Sequence, residues 1–137
     1  MTRSMADPEM MAMVAHALLE RGRDRDAMDV VWDIPDPRVM GQMLYLGEWQ
    51  DRTHAQELIE DITQANPRTT QKYDPKLRVG VTEGLQALFT ARQQEALVAQ
   101  NTAAAAEWAQ QADVMYRRAE LLRRQITIGY IKAPRKK

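Results

Sequence analysis

The chain has 137 residues, the length of one domain with a modest core, and folds of that size need neither disulfides nor a structural metal. Charged residues make up 28% and apolar residues 45%, with no apolar run near the 18 or so that a membrane span requires, so a membrane-spanning helix is excluded; the lack of cysteine removes thiol catalysis, thiolate metal sites and disulfide bridges. The net charge of zero conceals an uneven distribution: residues 117–137 carry eight Arg or Lys against Glu120 alone, whereas residues 20–61 carry eleven acids against five Arg.

The first helix is expected to open at Asp7, with Pro8 at its first position and Glu9 in its first turn, and to stop at Gly22. Met10, Met11, Val14, Leu18 and Leu19 would form its buried face. The N-terminal MTRSMADPEM has no apolar stretch of the kind a secretory signal needs, so a cytoplasmic location is expected. A short second helix spans Asp24 to Trp32 and presents Ala27, Met28, Val31 and Trp32. Asp36 and Pro37 repeat the cap-plus-proline signature and open a third helix, PRVMGQMLYLG, whose two glycines lower its propensity. In the fourth, Thr53 and Gln56 have the spacing of a capping box, and Ala55, Leu58, Ile59 and Ile62 keep helical spacing up to Asn66. Residues 66–76, polar with two prolines, read as a loop.

The second half is more uniform. From Thr82 to about Arg124 there is no proline, and Ala, Gln, Leu, Glu and Arg dominate, a strongly helix-forming composition. Trp108, Ala112, Met115, Ala119, Leu122 and Ile126 alternate steps of four and three, as in a coiled-coil seam. Asn101 and Thr102 are either a turn between two antiparallel helices or part of one helix about 65 Å long at 1.5 Å per residue. The final ITIGYI, residues 126–131, is β-branched and aromatic like a strand, and Pro134 closes it. It has no internal strand to pair with. It is therefore either the end of a helix with a tail, or a strand completed by another molecule. The expected fold is all-α: a small helical bundle in a single domain over 1–125, with short helices over 1–65 and a long helical region or hairpin over 77–125, followed by an extended basic tail over 126–137.

Catalytic patterns are missing. Ser4 is the one serine and lies in no GxSxG, and no glycine-rich phosphate loop occurs, so no catalytic residue and no cofactor is expected. Asp51, His54 and Glu57 lie three apart, a spacing that metal sites use, but the second such motif of a di-metal site is missing and His16 belongs to another helix; a solvated polar face is the expected reading. Asp24, Asp26 and Asp29 lack the glycine and closing glutamate of a calcium loop. The nine methionines and Trp32, Trp49 and Trp108 read as core or interface residues.

The order of parts, EWAQQADVMYRRAELLRRQ as helix and ITIGYIKAPRKK as tail, resembles the small α-helical head-to-tail adaptor (connector) proteins of tailed bacteriophages. That resemblance, which covers residues 82–137, implies a non-enzymatic virion protein that forms a ring of copies and docks its C-terminal tail on a portal. It would make Ile126, Ile128, Tyr130 and Ile131 the anchors, and set Lys132, Arg135, Lys136 and Lys137 against acidic groups of the portal or against DNA. The bipolar charge would help copies recognise each other. A nucleic-acid-binding regulator or packaging factor using the same basic end is the alternative, and it predicts salt-sensitive DNA binding.

Overall fold

The computed structural model describes residues 7–64 and 72–127. Among them the chain is helix and turn, with no strand: α1 Pro8–Glu20, α2 Asp24–Trp32, α3 Pro37–Leu46, α4 Arg52–Thr63, α5 Pro75–Val98 and α6 Thr102–Thr127. The all-α expectation holds. Aspartate and proline set the helix starts: the Asp7 carboxylate accepts from the Glu9 amide at 3.1 Å and that of Asp36 from the Arg38 amide at 3.0 Å, each followed by proline at the first helical position. A third Asp-Pro pair, Asp74 and Pro75, starts α5 inside the stretch expected to be loop. The fourth helix is capped by Asp51, which accepts from the His54 amide at 3.0 Å, so the capping box expected at Thr53 is corrected by two residues.

The chain turns at residues 99–101, just before Thr102 opens α6. The hydrogen bonds of the turn form a Schellman motif: Gln100 N donates to Leu97 O at 3.0 Å and Asn101 N to Ala96 O at 2.8 Å, with Gln100 in the left-handed region at φ 60°. Asn101 then caps the next helix by accepting from the Ala104 amide at 3.1 Å. The two long helices thus fold back on each other, 24 and 26 residues long, or about 36 and 39 Å at 1.5 Å per residue. The expected seam closes them, since Ala112, Met115, Ala119 and Leu122 are buried along α6.

The shorter helices dock on one side of this hairpin. Contact between α3 and α5 is backbone-close, because a Cβ on Gly84 would sit 2.3 Å from Arg38 O and one on Gly41 2.7 Å from Val81 O. Glycine is required at both, and Gln42 Nε2 adds a bond to Gly84 O at 3.1 Å. Around this crossing Val31, Met40, Leu44, Ile59, Ile62, Val81, Leu85 and Phe89 form one core. Trp49 is buried with them, its indole N–H on Met43 O at 3.4 Å, while Trp32 stacks on Tyr73 and Trp108 tilts against Phe89 at 5.7 Å. The buried face expected for α1 is narrower than its pattern. Ala15 and Leu19 are buried, but Met10, Met13 and Val14 face solvent, because α1 is covered only where it meets α2 and α3.

The strand expected from residue 126 is corrected in its first two positions: Ile126 and Thr127 form the last described turn of α6. Ile126 is also the next step of the helical seam. A β-branched residue costs a helix less than about 1 kcal/mol, whereas extending an existing helix adds a hydrogen bond per residue, so the established helix prevails.

Candidate docking site

Of the residues expected to bind a partner, Ile126 is described; Ile128, Tyr130, Ile131, Lys132, Arg135, Lys136 and Lys137 lie outside the described residues. Ile126 is 36% exposed and borders a surface pocket of about 450 Å³ with Pro37, Val79 and Gly80, ringed by Arg38, Lys76 and Arg123 and by Asp36 and Glu83. The described chain thus ends beside an apolar patch with a charged edge. Sequence reasoning missed Pro37, Val79 and Gly80, which the α3–α5 crossing brings together from distant positions.

The arginines of α6 divide by face. Arg123 donates to Glu83 at 2.7 Å and to Glu120 at 3.1 Å, and Arg118 donates to Thr63 Oγ1 at 2.7 Å and meets Glu60 at 3.3 Å. These two are held within the body. Arg117 pairs only with its own-helix neighbour Asp113 at 2.9 Å and is well exposed, and Arg124 is exposed without an ion pair among the described residues. The positive charge open to a partner thus starts on the outer face of α6.

Inside, the C-terminus of α4 is tied down by arginine. Arg78, fully buried, donates through Nε to Ile62 O at 2.8 Å and through Nη2 to Gln64 O, so its cation meets the negative end of the α4 dipole. Burial pulls its pKa below the ordinary guanidinium value, against an opposing effect of Tyr73, but that value is so high that the group stays charged. Arg78 Nη1 has no hydrogen-bond partner among the described residues. For Glu60, burial pushes the carboxyl pKa up, but hydrogen bonds from Gln64 and Arg118 and the charge of Arg118 together hold it below the ordinary range.

The candidate metal set does not converge. The Asp51 carboxylate is engaged as the α4 cap, and His54 and Glu57 are exposed. Among the described residues no group of three or more His, Asp or Glu is placed to hold a metal ion. Asp24 instead joins two helix starts, accepting from the Gln50 and Asp51 amides at 3.0 and 3.2 Å, and Asp26 pairs with Arg23. No described helix is long and apolar enough to cross a membrane. Comparison with protein-family models, with curated proteins and with solved structures finds no match to this chain.

Proposed function

We propose that the chain is a non-enzymatic assembly protein, a phage head-to-tail adaptor in which a helical bundle presents an extended C-terminal tail to a portal-like partner. The observation that carries this reading is the division of the arginines: Arg118 and Arg123 are consumed by Glu60, Glu83 and Glu120, while Arg124 has no ion pair among the described residues and Lys132, Arg135, Lys136 and Lys137 follow it in sequence. The hairpin supplies a long base for the segment, and the apolar patch beside Ile126 gives it a place to leave the body. Ile126, Ile128, Tyr130 and Ile131 anchor the tail by pairing with a strand of the partner, and the terminal cations meet acidic groups. Such a protein belongs in the virion, assembled as a ring of copies.

The test is co-sedimentation of the full chain, and of a chain ending at Gln125, with portal rings of tailed phages and separately with duplex DNA. The full chain is expected to pellet with the ring and the shortened chain to stay behind with its helical circular dichroism intact. Equal pelleting of both would contradict the proposal. Binding only to DNA, lost as salt rises, would transfer the basic end to the nucleic-acid reading.

A further inference from the structure

Two surfaces on different helices have no partner among the described residues. The first is a groove of about 520 Å³ between α1 and α3. Ala12, Val39 and Met43 line it, and Met13 and Leu46, 69% and 44% exposed, stand at its mouth. Its charged rim is acidic: Glu9 and Glu20 border it, the latter joined to His16 at 3.2 Å, and no Lys or Arg lines it. The second is the outer face of α6, opposite the buried seam, where Val114 and Leu121 are 43% and 41% exposed. They are one heptad apart, about 10.5 Å, with Arg117, paired to Asp113 at 2.9 Å, between them and the unpaired Arg124 following, so the stripe joins apolar residues to one cation with no ion-pair partner among the described residues.

Building on the assembly reading, we infer that this α6 stripe docks in the α1–α3 groove of a second copy. Each surface supplies what the other lacks. Leu121 and Val114 fill an apolar groove edged by a methionine whose unbranched side chain adapts to what it meets. Arg117 and Arg124 reach the acidic rim, where opposite charge sets orientation and speeds encounter. The pairing is between copies because α1 packs on α2 and α3 while α6 packs on α5 and α4, and the stripe residues face away from the α6 seam. A contact between two different surfaces of identical chains is head-to-tail, so it propagates until a ring closes or a filament grows.

Light scattering on the full chain over a range of concentrations is the first arm, with Met13→Asp to spoil the groove and Leu121→Asp to spoil the stripe. Both positions are exposed, and circular dichroism checks the fold; if either unfolds, Glu9→Arg/Glu20→Arg or Arg117→Glu/Arg124→Glu replaces it. The unaltered chain is expected to grow in mass with concentration and to shrink in high salt, and each variant to stay monomeric. An equimolar mixture of the two variants should give dimers and nothing larger, since it holds one working groove and one working stripe. A monomeric unaltered chain, or a mixture that stays monomeric or grows past dimers, overturns the inference. Both variants keep residues 126–137, so an unaltered chain that docks on the portal ring but stays monomeric refutes this interface alone, and a chain that self-associates as described but does not dock refutes the adaptor reading alone.

Discussion

The two halves of this chain reach helix by different routes. Helices α1 to α4 have 13, 9, 10 and 12 residues, lengths at which an isolated helix is marginal in water, so their stability comes from caps and from packing on something else. The α5–α6 hairpin has 24 and 26 residues of high propensity and its own apolar seam. The contrast teaches that the hairpin is the platform and the first half is a dependent layer, fixed by a few non-local contacts: the glycine crossing and the arginines that hold the end of α4. Changes at those contacts should release the first half and leave the hairpin.

The largest effect is expected from Arg78→Ala. It orphans the Ile62 and Gln64 carbonyls and opens a cavity, costing about 4 kcal/mol at about 1–3 kcal/mol for each buried unpaired group. Denaturant unfolding gives the size, and amide exchange should rise in α4 before α6; uniform loss across all six helices would break the platform picture. Next is Gly84→Ala, where the sign is diagnostic. On an open helix surface it would stabilise by about 1 kcal/mol, but against the α3 backbone overpacking outweighs propensity and a net loss of about 1–2 kcal/mol is expected in the same assay. Within the hairpin, Gln100→Gly should raise stability by about 1 kcal/mol by removing a side chain from a left-handed position. A loss there would mean that the turn is not the one described.

The smallest effect concerns the Glu60–Arg118 link between layers. The folded pKa of Glu60 lies below its unfolded value, so its contribution is present above the ordinary carboxylate range and disappears as pH falls through the folded value. With Glu60 half exposed, the pair is screened, and Glu60→Gln should cost only a few tenths of a kcal/mol at pH 7. The gap between the two proteins should vanish in acid. A constant gap in pH-dependent denaturant melts would point to packing instead of charge.

Much of the fold is legible locally. The Asp7-Pro8 and Asp36-Pro37 pairs mark two helix starts, the Trp108-to-Leu122 spacing marks the hairpin seam, and Asp74-Pro75 carries the same start signal that a polar, proline-bearing setting obscured. The turn at Gln100 is hidden because a glutamine in the left-handed region leaves no compositional trace. Gly41 and Gly84 read as weak helix positions until α3 and α5 are seen in contact, and Arg78 reads as a surface cation until the end of α4 is placed beside it. Of the candidate site, Ile126 was legible as an apolar residue and misread as strand, while the patch around it and the α1–α3 groove depend on partners distant in sequence. Met10, Met13 and Val14 carried a usable hint, since a helix apolar over so wide an arc has more surface than α2 and α3 can cover.

The central proposal is that the portal-like partner is met through the C-terminal end and not through α2 and α4. Amide hydrogen exchange of the full chain, free and on a portal ring, tests it directly. The account predicts protection gained over residues 126–137 and the last turns of α6, with α2 and α4 unchanged. Protection gained over α2 and α4, with residues 126–137 unchanged on the ring, would contradict it.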